Sequence, residues 1–206
     1  MTRRATLPLL VACALALAGG LAAAQDGLEP PRVRRERGLV FKAPEGWRPT
    51  EPIEPERAAW TVRPDPEGPR LRVTLLRHRV RRPLAERVAT WAGHFEGEDG
   101  EPLAADAAER EEVDPTEADG VTATLVALRG TFSGPLDTGE ERRARPGWAA
   151  LHLVVDGPDA TWVASLVGPA AVVDRCRDGM RALARDVRVG LIDPDVEPDD
   201  GGDERR

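Results

Sequence analysis

The chain has 206 residues, 41% of them apolar and 32% charged, with five Trp, three Phe and no Tyr. That length suits one hydrophobic core, and the balance of apolar and charged residues argues against both an extended disordered chain and an integral membrane bundle. A net charge of −7 argues against a general nucleic-acid binder, which needs a positive footprint to displace counterions.

The N-terminus carries the strongest signal. Arg3 and Arg4 precede an apolar run from Leu7 to Leu17, Gly19-Gly20 breaks it, and Ala22-Ala23-Ala24 supplies small residues before Gln25. This is the layout of a secretory signal peptide, residues 1–24, cleaved between Ala24 and Gln25. An uncleaved anchor is the alternative, but Leu7–Ala24 is barely long enough to span and contains Pro8 and two Gly. Leu10-Val11-Ala12-Cys13 also matches a lipobox, with lipidation at Cys13; against it, the apolar run continues well beyond that cysteine. The Arg3-Arg4 pair hints at twin-arginine export, but Thr6 stands where that signal prefers an apolar residue. The expectation is export to the periplasm or beyond, with no transmembrane segment after signal removal and a lipoprotein as the variant. Cleavage would take the net charge to −9 and leave Cys176 as the remaining cysteine, so no intramolecular disulfide is available.

Residues 25–37, Pro- and Arg-rich without apolar periodicity, read as a flexible lead-in to a domain at 38–190. Leu39-Val40-Phe41 predicts a short strand running into a turn at Pro44-Glu45-Gly46-Trp47. Ala58–Arg63 and Leu71–His78 predict two antiparallel strands joined at residues 64–69. A helix follows, with Leu84, Val88, Trp91 and Phe95 on one face and Pro83 in its first turn. After a polar stretch at 96–106 come a strand ending near Val113 and a long strand, Val121–Phe132. Trp148–Val155 and Thr161–Val167 predict a hairpin, and apolar residues at nearly every position of these strands suggest a sheet covered on both faces. A final helix opens at Gly168-Pro169 and aligns Val172, Cys176, Met180 and Leu183, which predicts a buried cysteine. Residues 191–206 read as an acidic disordered tail. The fold class expected is α+β, a largely antiparallel sheet covered by helices.

Phe41-Lys42-Ala43-Pro44-Glu45-Gly46-Trp47 resembles the F-x-x-P-x-G-W opening of the PsbP-like fold, which includes DcrB-like envelope proteins. Trp91-Ala92-Gly93-His94-Phe95, Gly130-Thr131-Phe132 and Gly168-Pro169 are similar to a secreted bacterial branch of that group, so the resemblance covers 38–190. It implies an α/β/α sandwich and, by analogy, a binding or accessory role rather than an enzymatic one. The matching positions are turn and core residues and carry no functional assignment.

No catalytic template fits. His78, His94 and His152 are far apart in sequence, and no metal-ligand spacing, P-loop or G-x-G-x-x-G is present, so no metal and no cofactor is expected. Ser165 lies within an apolar strand and Ser133 in a loop, neither on a nucleophile elbow. The acidic stretches around Glu96–Glu101 and Glu109–Asp114 read as solvated faces. The densest local charge is Arg77-His78-Arg79-Val80-Arg81-Arg82; at period two Arg77, Arg79 and Arg81 would project together, and with Arg82 they form a candidate anion-binding patch. The expectation is a non-catalytic binding or accessory domain recognising another envelope protein or component, through loops 96–120 and 133–147. The alternative is a small periplasmic hydrolase whose residues assemble only in three dimensions.

Overall fold

The structure is a computed structural model describing residues 36–116, 118–135 and 143–192. The signal peptide, Cys13, the Ala24–Gln25 cleavage site, most of the lead-in, residues 136–142 and the tail from 193 lie outside the described residues. In chain order the elements are β1 (Glu36–Val40), β2 (Arg48–Thr50), β3 (Ala58–Val62), β4 (Leu71–His78), α1 (Leu84–Ala92), β5 (Phe95–Glu96), a 3-10 turn (Ala105–Ala107), β6 (Glu109–Val113), β7 (Thr122–Phe132), β8 (Arg145–Asp156), β9 (Thr161–Pro169), α2 (Ala170–Arg175), α3 (Arg177–Arg185) and β10 (Arg188–Ile192).

One antiparallel sheet runs in the order β2-β3-β4-β9-β8-β7-β5, with β6 pairing β7 as well, and β1 and β10 form a separate antiparallel ribbon. The expected α+β class with a mostly antiparallel sheet is what the chain adopts. Strand alternation sorts the side chains into two apolar clusters. Leu125, Leu151, Leu153 and Leu166 join Met180 and Leu183 of α3, whereas Val126, Leu128 and Ala150 join Val88 and Ala92 of α1. Apolar side chains at successive positions of β7 and β8 are therefore used by two different clusters. Each fully buried Leu or Val contributes about 1.5–3 kcal/mol.

The turn that carries the sequence resemblance has a packing role. Gly46 takes a positive φ of 82°, which lets the chain close on Pro44 O and deliver Trp47 beside Trp60, 6.0 Å between rings. Trp47 also lies against Gly179 of α3, where a Cβ would stand 3.0 Å from the indole.

Two helices differ from expectation. The first ends at Ala92: Gly93 closes it, and Phe95 leaves the helix for β5, opposite Phe132. Phe95 still packs in the same cluster as Val88, so its spacing mimicked a fourth helical turn. The last helix is two, α2 and α3, because the N–H of Cys176 bonds Val173 O three residues back instead of four. Besides β5, two strands escaped the pattern: β2, three residues long, and β10, whose pairing with β1 extends the folded span to 36–192. A strand that pairs only with the other end of the chain has no local periodicity to announce it.

Cys176 is buried, its thiol 3.4 Å from Val172 O, and burial pushes its pKa up to about 11. A native protein at pH 8 should therefore resist a water-soluble disulfide reagent and release one equivalent of thiol only after denaturation, as read by absorbance. Gly130 lies where β5 presses on β7, and a Cβ there would stand 2.4 Å from Glu96 O. Because that contact is backbone, Gly130→Ala should cost about 1–3 kcal/mol in a denaturant melt, with β5 amides losing exchange protection first.

Candidate functional site

The basic run at the end of β4 is divided by the fold. The strand stops at His78 and residues 79–80 bend away, so the period-two projection of Arg77, Arg79 and Arg81 does not continue. Arg77 lies over the Trp162 ring, 5.6 Å from its centroid. Arg81 donates to Gly157 O and Pro158 O and ties this segment to the β8–β9 turn. Arg79 and Arg82 remain exposed, as does Val80 between them, at 75%. Of the expected patch, Arg77 and Arg81 are engaged within the fold, and Arg79 and Arg82 face solvent.

Beneath this corner sits a polar row set by strand register. His78 stands opposite Thr161, and Thr161 opposite Asp156, so the three side chains share one face. Thr161 Oγ1 donates to Asp156 Oδ1 at 2.5 Å. From α1 comes Arg87, only 7% exposed, whose Nε and Nη2 are buried without a hydrogen-bond partner. Burial lowers its pKa and Arg82 adds to the effect, while the Asp156 carboxylate acts against it. Burial also lowers the pKa of His78, and the charges of Arg87 and Arg82 push the same way. Sequence reading passed over Arg87. The signal was present, because at three residues from Leu84 it borders the apolar stripe of Leu84, Val88 and Trp91.

A second polar group lies two rows along. His152 Nδ1 is 2.9 Å from Ser165 Oγ, and Trp91 stacks on the imidazole at 4.0 Å and 11°. Desolvation, with the nearby His94, holds the His152 pKa down to about 3, so the ring is neutral at physiological pH. The pair resembles a nucleophile and its base, yet His152 is 6% exposed and one ring face is covered by indole. Ser133 is bonded instead to the His94 carbonyl: its N–H donates to His94 O at 2.8 Å and its Oγ lies 3.4 Å from the same oxygen.

No known protein family and no curated protein matches this chain. Among solved structures it is similar to LpqN of Mycobacterium tuberculosis, a protein involved in cell envelope biogenesis, at 10% identity and a TM-score of 0.40, covering 76% of this chain and 85% of that one. It is also similar to a Pseudomonas aeruginosa protein of unknown function, a putative regulator, at 11% identity and a TM-score of 0.32, covering 82% and 89%. Likenesses this distant assign neither a fold family nor a role.

The remaining candidates are accounted for locally. Glu109 and Glu111, two apart on β6, meet Arg177 and Arg181, four apart on α3, and the Arg181–Glu111 pair is two-pronged at 2.8 Å per bond. The Arg181 hydrogen bond holds the Glu111 pKa below its usual value. The acidic run is thus partly a docking edge for α3 instead of a wholly solvated face. At residues 97–101 the Gly97 N–H bonds Glu101 O, and Asp99 Oδ1 accepts from Glu101 N–H. The expected binding loop at 96–120 carries β5, the 3-10 turn and β6, and the centre of the 133–147 loop lies outside the described residues. A shallow cleft of about 240 Å³ is lined by Glu96, Glu98, Arg129, Thr131 and Trp148 among others, with Arg129 paired to Asp174. Among the described residues no three His, Cys, Asp or Glu side chains converge as a metal ion requires, and no helix is long and apolar enough to cross a membrane.

Proposed function

We propose that this chain is an exported, non-catalytic binding or accessory domain of the cell envelope, and that it meets its partner through the corner between β4 and α1. The observation that carries the reading is Val80, 75% exposed, flanked by the exposed Arg79 and Arg82 above the buried Arg87. An apolar tip inside a basic rim suits an anionic envelope component, because apolar contact supplies affinity and charge supplies steering. Export rests on the leader, with its Ala24–Gln25 cleavage site. The finer fold reading, a PsbP-like α/β/α sandwich, belongs to the same proposal and is supported by the division of sheet side chains between the α1 and α3 clusters.

The test compares the mature chain from Gln25 with a triple variant, Arg79→Glu, Val80→Ser, Arg82→Glu, for co-sedimentation with the envelope fraction of the native host. The variant should melt within about 1 °C of the parent, since all three side chains are exposed. Its envelope binding should fall at least tenfold. Unchanged binding would remove the corner as the contact surface. Intact mass of the native protein separates secretion, with a start at Gln25, from lipidation at Cys13.

A second reading, a hydrolase using Ser165 and His152, is favoured by their 2.9 Å contact. It requires Trp91 to uncover the imidazole. Labelling of Ser165 by a fluorophosphonate under native conditions would support it.

A further inference from the structure

We propose that Arg87, Arg82 and the opening turn of α1 form a binding site for a protonated phosphate group, inorganic phosphate or a phosphate monoester, with Asp156 as the acceptor that selects it. This rests on the binding reading above and names the chemistry recognised at the same corner.

Arg87, 7% exposed as a residue and with two guanidinium nitrogens buried and unpaired, is costly, because a desolvated charge needs a partner of opposite sign and matching geometry. Nε and Nη2 form one edge of the guanidinium fork, the edge that donates to two oxygens of a tetrahedral anion. Helical side chains lean toward the N-terminus, so Arg87 is carried back to the first turn of α1. There Pro83 opens the helix without a side-chain cap, and the Leu84 and Ala85 N–H groups lie ahead of the first intrahelical bonds, made by Glu86 and Arg87 to Pro83 O. Arg82 is exposed at the rim and makes no ion pair among the described residues, whereas Arg81 is committed to the β8–β9 turn.

Two carboxylates oppose an anion here, Asp156 and, in the first turn, Glu86. Asp156 decides what kind of anion is tolerated. Its Oδ1 is engaged by Thr161, and among the described residues its Oδ2 has no protein donor. An oxyanion without hydrogen would meet that oxygen as like charge. Hydrogen phosphate carries an O–H near neutral pH and can donate it to Oδ2 while its other oxygens accept from Arg87 and Arg82. Sulfate and phosphodiesters have no such hydrogen.

The test is titration of the mature chain with inorganic phosphate at pH 7 and constant ionic strength, followed by amide NMR and calorimetry. Saturable shifts at the Leu84–Arg87 amides and at His78 are expected, with sulfate at least tenfold weaker and Asp156→Asn narrowing that ratio. Phosphatidylglycerol vesicles, as phosphodiesters, should compete no better than sulfate, whereas glycerol 3-phosphate, a monoester whose second pKa is about 6, should bind more tightly as the pH falls from 7 to 6. Arg87→Gln should abolish binding and keep a cooperative melt. If that variant does not fold, the exposed Arg82→Ala must by itself weaken phosphate at least threefold. Non-saturating shifts spread over surface arginines, equal sulfate affinity, or undiminished binding in both arginine variants would overturn the site. Failure of phosphate with envelope co-sedimentation still sensitive to the triple variant defeats this inference alone. Phosphate binding with co-sedimentation indifferent to the triple variant defeats the envelope-binding reading alone.

Discussion

Lowering the pH from 6.5 to 5 should cost the protein about 2 kcal/mol of stability, most of it through His152. In the folded chain this ring titrates at about 3 because it is desolvated and near His94, whereas in the unfolded chain it titrates near 6.5. The folded pKa is depressed, so the unfolded state takes up the proton first. The contribution is fully present above pH 6.5, declines as pH falls below it, and is gone near pH 3. His78 acts in the same direction, depressed by burial and by Arg87 and Arg82. Glu111, depressed by Arg181, adds its loss only in the carboxylate range. His152→Asn keeps a polar atom for Ser165 and removes the titration. Urea melts of this variant should show a constant offset and less than half the parent's loss between pH 6.5 and 5. An unchanged slope would mean that the imidazole is reached by water or sits beside an acid.

The neighbouring residue gives the largest core effect. Leu153 is fully buried on the opposite face of β8, opposite Leu125 on β7 and Ala164 on β9, in the cluster that contains Met180 and Leu183. Leu153→Ala removes its transfer energy and leaves a cavity that a central strand cannot collapse, a loss of about 3–4 kcal/mol. For a chain of this size that lowers the melting temperature by about 10 °C. Ile53→Ala, at a residue 56% exposed, should change stability by less than about 0.5 kcal/mol. Similar losses at both positions would show that the two-cluster packing is wrong.

How much of this was legible in the sequence depends on the range of the interaction. The β3–β4 and β8–β9 hairpins were readable because alternation and turn residues such as Asp156-Gly157-Pro158-Asp159 are local signals. The continuous apolar runs of β8 and β9 match strands that are buried at successive positions. Leu39-Val40 announced part of β1, but β10 and its pairing with β1 were invisible, because that pairing joins segments about 150 residues apart. The candidate site was half legible. Arg79 and Arg82 stood out as a charge run, but which arginines the fold consumes depends on Trp162 and the Gly157 carbonyl, both distant in sequence. Arg87 became visible only through burial, and the His152–Ser165 contact only through the β8–β9 register that sets them opposite each other.

Site-specific photo-crosslinking from position 80 in the native host tests most directly whether the β4–α1 corner is where this protein meets the envelope. A discrete adduct from position 80, lost when Arg82 becomes Glu and absent from a probe at the exposed Glu98, is the predicted result. Adducts from position 98 with none from position 80 would place the contact elsewhere and contradict the account.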